Sequence, residues 1–144
     1  MANIQRELIK SWLSLTQFHD AVSKELEYSL QQNHQLALKE FYVLLFLAET
    51  PEKQLPLQEL QHMIGLSQSA MSRLAARMES KSCGVIRRHG YGDDKRGVYT
   101  TMTDKGEQFF EEVLRTFEET IEKTLQNSDI KFDLKTWINF NKQS

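Results

Sequence analysis

Residues 67–97 concentrate the side chains of this sequence that can donate hydrogen bonds and carry positive charge. They include seven Lys and Arg residues against three acidic ones, a net charge of +4, whereas the rest of the chain carries −6 and the whole chain −2. Guanidinium, amide and hydroxyl groups bind phosphate oxygens and the edges of nucleic-acid bases. A basic stretch in an acidic chain is therefore typical of a phosphate-binding face, although basic stretches also occur as ordinary solvated surface.

The first part of this stretch predicts a helix that begins after Ser67, a residue type that caps helix N-termini. Its apolar residues follow the i, i+3, i+4, i+7 spacing of a buried stripe, namely Met71, Leu74, Ala75 and Met78. The opposite side, named the polar face here, consists of Gln68, Ser69, Ser72, Arg73, Ala76 and Arg77. A surface helix more often carries Glu/Lys pairs at i, i+4, so we interpret the polar face as DNA-binding, with a plain solvated face as the alternative. The residues expected to contact DNA from this helix are Ser67, Gln68, Ser69, Ser72, Arg73 and Arg77.

Residues 85–103 alternate in side-chain character and predict a β-hairpin with a glycine-flanked, charged tip. A basic tip can enter a minor groove, where arginine gains from the concentrated negative potential. The hairpin residues expected to contact DNA are Arg87 and Arg88 at the phosphate backbone, and Lys95 and Arg96 at the tip. Because Asp93 and Asp94 would repel phosphate, we expect one of them to orient an arginine through a salt bridge. The candidates for that arginine are Arg96 and Arg77, and an ordinary mixed-charge turn is the alternative.

The elements that must position these residues are mostly helical. A first helix over 4–30 carries an apolar seam that one small domain would not cover, so either a partner chain buries part of it or the helix packs along its own domain. A second helix, roughly 37–49, is apolar almost all round and is expected to be buried. Leu55-Pro56 predicts a short edge strand, followed by a helix from Leu57 that ends at Gly65. A long helix follows Thr103 or Asp104, and a short apolar one ends the chain. The order helix, turn, helix, hairpin is that of a winged helix-turn-helix.

Several other classes of protein are disfavoured by composition. No run of 18 apolar residues predicts a membrane span, and the N-terminus has no signal-peptide core, so we expect a cytoplasmic protein. The single cysteine, Cys83, excludes an intrachain disulfide framework; we interpret it as a small filler residue, with a redox-reactive thiol as the alternative. The four histidines lack metal-ligand spacing, and no catalytic motif is present, so we expect no metal, no cofactor and no enzymatic activity.

Three segments make the chain resemble the MarR family of bacterial transcriptional regulators. LKEFYVLLFLAE is similar to the family's second helix, and LQELQHMIGLSQSAMSRLAARME to its helix-turn-helix. DDKRGVYTTMTDKG is similar to its wing, with Asp94-x-Arg96 at the tip and Met102 in place of the leucine of a Leu-Thr-x-x-Gly motif. The turn ESKSCGVIRR is about two residues longer than the family's usual turn, which leaves the placement of Arg87 and Arg88 open.

The resemblance implies one domain over residues 1–144, mainly α with a small β-hairpin wing. A winged helix-turn-helix DNA-binding region over 36–103 would be flanked by dimerisation helices over 1–35 and 104–144. It further implies a homodimeric repressor that binds a pseudo-palindrome in double-stranded DNA and responds to a small aromatic or phenolic effector. Candidate effector-pocket residues are Trp12, His19 and Tyr42. The alternatives are a winged-helix adaptor that binds proteins rather than DNA, and a metal- or redox-sensing regulator of the same fold.

Overall fold

The computed structural model describes residues 2–80, 82–91 and 94–127, with the backbone alone at residues 2, 91 and 94–96. Its elements are α1 (Ala2–His34), α2 (Leu38–Ala48), β1 (Gln54–Pro56), α3 (Leu57–Ile64), α4 (Gln68–Glu79), β2 (Ile86–Tyr91), β3 (Asp94–Met102) and α5 (Asp104–Gln126). This order confirms the predicted mainly helical fold with a winged helix-turn-helix. The predicted final helix, within 128–144, lies outside the described residues.

The chain divides into two compact units. One unit, named the lobe here, comprises residues 36–115, and the other comprises residues 1–35 together with the chain from Thr116 onward. Helix α5 therefore contributes its first half to the lobe and its second half to the other unit. Among the described residues, no helix combines the length and apolar character needed to cross a membrane.

The lobe is built around α2, whose apolar side chains were predicted to be buried. Its fully buried members are Phe41, Val43, Leu44 and Leu47. The stripe predicted on α4 packs into the same core, where Met71, Leu74, Ala75 and Met78 are at most 7% exposed. Burial of each of the larger side chains stabilises the fold by roughly 1.5–3 kcal/mol. This apolar contact fixes which side of α4 faces outward.

The three strands form one antiparallel sheet in the order β1-β3-β2. Strand β1 lies at an edge, where Pro56 costs no ladder hydrogen bond, as its sequence predicted. Strands β2 and β3 form the hairpin, with Ile86 opposite Met102 and an irregularity of register between Gly90 and Tyr91. The β2–β3 hairpin is therefore the wing, and β1 pairs with it along β3.

Helix α5 is anchored to the lobe at its first turn. The hydroxyl of Thr103 accepts the Gly106 N–H at 3.0 Å and donates to the Gly84 carbonyl at 2.6 Å, so Thr103 is the N-cap. Gly106 lies so close to the chain that an added Cβ would come within 2.1 Å of the Val85 carbonyl oxygen. The glycine of the Thr-x-x-Gly motif is therefore required by close packing.

In the other unit, α1 runs to His34, four residues beyond its predicted end. Leu26 and Leu30 are buried, and the Thr120 hydroxyl donates to that of Ser29 at 2.9 Å. The first half of α1 is different. Its apolar residues Ile4, Leu8, Trp12 and Leu15 are between 48% and 66% exposed. The predicted seam is covered only toward its C-terminal end by the described part of the chain.

Candidate nucleic-acid interface

The turn between α3 and α4 is fixed by two local features that the sequence predicted. Gly65 has the left-handed conformation (φ 81°, ψ 36°), and its N–H donates to the Gln61 carbonyl. Ser67 caps α4, its hydroxyl accepting the Ala70 N–H at 3.2 Å. A cap of this type stabilises a helix by about 1 kcal/mol. The start of α4 is thus set by its own sequence.

The polar face of α4 is exposed to solvent along its whole length. All six of its residues are exposed, while the buried stripe occupies the opposite side of the helix. Short hydroxyl and methyl side chains stand between the longer Gln68, Arg73 and Arg77, so a surface can approach the helix backbone closely. At 1.5 Å per residue the helix is about 18 Å long, and a helix diameter of about 10–12 Å fits a major groove about 12 Å wide.

Arg77 is held by a carboxylate that we did not predict. Its Nε donates at 3.0 Å to Oε2 of Glu40 on α2. We expected Asp93 or Asp94 to orient Arg77 or Arg96, but those two aspartate side chains and that of Arg96 lie outside the described residues. A signal for Glu40 existed, since it stands within the apolar α2 sequence, where an isolated acid must find a donor.

Arg88 is held by Glu79, at the last turn of α4. One carboxylate oxygen of Glu79 accepts the backbone N–H of Arg88, and the other accepts its Nε at 3.3 Å and Nη2 at 3.2 Å. The longer turn is accommodated by Gly84 at φ 63° and by the Val85 N–H, which donates to the Met78 carbonyl. The placement of Arg88, left open by the sequence, is thereby settled.

Arg73 and Arg87 differ from these two arginines. Both are exposed, and neither has an acidic partner within salt-bridge distance among the residues that the structure describes. Four basic residues of the predicted interface therefore fall into two pairs. Arg77 and Arg88 are ion-paired, whereas no described acidic side chain neutralises the guanidinium groups of Arg73 and Arg87.

A hydrogen-bond network crosses the sheet at the base of the wing, and the sequence did not predict it. The Thr101 hydroxyl donates to Gln54 Oε1 at 3.2 Å and lies 2.7 Å from His89 Nε2. The His89 ring also stacks on Tyr99, with ring centroids 6.2 Å apart. Because each of the three strands contributes one residue to this network, it couples the β2–β3 hairpin to the edge strand β1. The Lys95 and Arg96 side chains, predicted at the tip, lie outside the described residues.

The remaining predicted site residues are distributed over both units. Trp12 and His19 are exposed on α1 in one unit, whereas Tyr42 is half-buried beside Phe41 and Phe46 in the lobe. Cys83 is half-buried against the lobe core. Within the described residues, no group of His, Cys, Asp and Glu side chains has the geometry to hold a metal ion.

The fold is similar to several solved transcriptional regulators. Sco3205 of Streptomyces coelicolor, a MarR family transcriptional regulator solved in complex with DNA, matches with a TM-score of 0.77 at 22% identity, over 96% of this chain and 84% of that one. The chain has the MarR fold. BldR of Sulfolobus solfataricus matches this MarR fold with a TM-score of 0.75 at 20% identity, over 95% of both chains. NadR in complex with 4-hydroxyphenylacetate matches with a TM-score of 0.66 at 20% identity, over 90% of this chain and 89% of that one. The sequence significantly matches no family model and no curated protein sequence.

Proposed function

We propose that this protein is a transcriptional regulator of the MarR family that binds double-stranded DNA sequence-specifically as a homodimer. The observation that carries the proposal is the polar face of α4, exposed along the whole helix and turned outward by the buried stripe behind it. The adjoining hairpin supplies the wing. The DNA complex of Sco3205, which shares the fold, supports the proposal.

The polar face also argues against a protein-binding adaptor. Protein interfaces are usually anchored by a few large apolar or aromatic side chains that fill pockets on the partner. The polar face offers hydroxyl, amide and guanidinium groups instead, with Ala76 as its apolar member. Such groups suit phosphates and base edges, which present acceptors in fixed positions.

We assign roles to the predicted residues by their position. Base edges and nearby phosphates would be contacted by Ser67, Gln68, Ser69, Ser72 and Arg73. The phosphate backbone would be contacted by Arg77 and Arg87. Arg88 would contribute less, because Glu79 already binds two of its guanidinium nitrogens. Lys95 and Arg96 would reach the minor groove from the wing tip.

Dimerisation is supported by the exposed apolar residues of α1. Four large apolar side chains at successive turns, each about half-exposed or more, form a stripe that the described part of the chain leaves uncovered. A two-fold partner would bury this stripe and place two α4 helices in successive major grooves, about 10 bp apart. The matching DNA site would be a pseudo-palindrome.

We further propose that the protein is a repressor controlled by a small aromatic or phenolic effector. The complex of NadR with 4-hydroxyphenylacetate, on the same fold, supports an effector of this class. By linkage, an effector that binds better to the protein off DNA must weaken DNA binding by the same factor. Trp12, His19 and Tyr42 stay candidate contacts for it.

The test is selection of duplexes from a random library by the purified protein, followed by titration at several salt concentrations. We expect an enriched pseudo-palindrome, a steep fall of log K with log salt, and binding at least about 10³-fold tighter than to random DNA. Arg73→Ala should lower this preference, whereas Lys39→Ala, which removes one charge from the exposed side of α2, should leave it unchanged. Binding that is absent, or independent of salt, would contradict the proposal.

A further inference from the structure

Glu40 is a buried carboxylate whose two oxygens serve different elements. Only 7% of its side chain is exposed. Its Oε1 accepts the Ala37 backbone N–H at 2.8 Å, at the start of its own helix, and its Oε2 accepts Nε–H of Arg77 at 3.0 Å. A buried carboxylate is tolerated when both oxygens have donors, and this one meets that requirement by linking α2 to α4.

The contact leaves Arg77 available for a ligand. Its side chain is 64% exposed, and Glu40 uses only Nε. A guanidinium has four more N–H donors on its two terminal nitrogens, and none of these has a partner among the described residues. Anchoring at Nε restricts the rotation of a long side chain that would otherwise sample many rotamers. Arg77 is thus pre-oriented with its donors open.

Arg88 shows what a purely internal ion pair looks like in the same lobe. Both its Nε and its Nη2 bind Glu79, which also accepts its backbone N–H, and its side chain is only 28% exposed. That arrangement occupies two of the three guanidinium nitrogens and joins the end of α4 to β2. The single bond to Nε distinguishes Arg77 from it.

We propose that Glu40 is a positioning residue for DNA recognition: it directs the terminal nitrogens of Arg77 to one phosphate and thereby fixes the register of α4 on the duplex. The inference rests on the proposed DNA-binding function. Phosphate contacts orient a protein on DNA without reading sequence themselves. A misregistered α4 loses its base contacts, so the effect falls on specific binding. Non-specific complexes tolerate a mobile arginine and are favoured by removal of a nearby negative charge.

The variant that tests this is Glu40→Gln. A glutamine oxygen can accept from either Ala37 or Arg77, and its amide nitrogen then faces the other donor, so the anchor at Arg77 is lost or weakened. The control is Glu59→Gln, which makes the same charge change at an exposed residue of α3. We expect the ratio of specific to random-DNA affinity to fall about tenfold in Glu40→Gln, with random-DNA affinity equal or higher. Glu59→Gln should keep the wild-type ratio.

Two further measurements separate positioning from a general structural role. In the Arg77→Ala background, Glu40→Gln should change the ratio no further, because the residue acts through Arg77. The Arg77 Nε–H resonance in ¹⁵N NMR of the free protein should be shifted and protected in wild type, and lose both properties in Glu40→Gln. This second readout does not depend on DNA.

The outcomes are distinguishable. A wild-type protein without sequence preference overturns the DNA-binding function and the inference together. If wild type is specific, the inference alone is overturned by an unchanged ratio in Glu40→Gln, by equal losses of specific and random affinity, or by an Arg77 resonance that is identical in the two proteins.

Discussion

Replacing Gly106 by alanine tests how α5 is docked onto the lobe. The added Cβ would lie 2.1 Å from the Val85 carbonyl oxygen and 2.9 Å from Cγ of Met102. Real Cβ contacts are essentially never shorter than 3.0 Å, so the helix or the carbonyl must move by about 1 Å. The Val85 carbonyl also accepts the Thr103 N–H at 3.1 Å, and this bond would be strained by the movement.

The magnitude follows from three opposing contributions. Overpacking of a dense core costs about 1–3 kcal/mol, and weakening the hydrogen bond to Val85 costs about 1 kcal/mol more. Alanine in a helix interior gains about 0.8–1.0 kcal/mol over glycine. The two costs together exceed the gain in helix propensity, and we expect a net destabilisation of about 1–3 kcal/mol. For a chain of this size that corresponds to a fall in Tm of about 3–10 °C.

The assay is urea unfolding of Gly106→Ala beside wild type at equal protein concentration, followed by circular dichroism. We expect a lower midpoint with an unchanged m-value. The matched control is Gly90→Ala, since a Cβ at that exposed position meets nothing within 4 Å. If Gly106→Ala were as stable as wild type, helix propensity would have outweighed the clash, and the close approach of α5 to Val85 would be refuted.

Three other perturbations have defined outcomes. Ser67→Ala removes the cap of α4 and should lower the free energy of unfolding by about 1 kcal/mol in urea titrations; no loss would mean that the hydroxyl is not the cap. Arg87→Ala should reduce the slope of log K against log salt by about 2 in a dimer, because each protomer loses one phosphate contact. Arg88→Ala should reduce the slope less, because Glu79 already pairs with Arg88. Equal reductions would mean that this ion pair does not limit the phosphate contact of Arg88. Leu8→Glu should shift the protein from dimer to monomer in analytical ultracentrifugation, and an unaltered dimer would place the interface elsewhere.

The features of the lobe that depend on neighbouring residues could be predicted from the sequence. The Ser67 cap, the left-handed Gly65 and the edge position of Pro56 each depend on a few adjacent residues and on general backbone rules. The buried stripe of α4 likewise follows from a 3.6-residue period. These local rules determine which side of α4 forms the polar face.

What could not be predicted are contacts between distant residues. Glu40 and Arg77 are 37 positions apart, and their pairing depends on how α2 and α4 pack. The hydrogen-bond network that joins His89, Thr101 and Gln54 depends in the same way on strand register. Helix α1 was predicted too short because Gln31, Gln32 and Asn33 resemble a loop in composition. They continue the helix on its exposed side, and it ends before Gln35, whose φ is 53°.

The edges of the small sheet have a consequence for solubility. A strand edge is a template for pairing with strands of other molecules unless it is short, charged or irregular. Strand β1 is three residues long and includes Pro56, while β2 carries Arg87 and Arg88 and changes register at Gly90. Both edges are therefore poor templates for aggregation. A wing built this way can project into solvent, and the arginines proposed to hold phosphate also keep the hairpin from pairing with its copies.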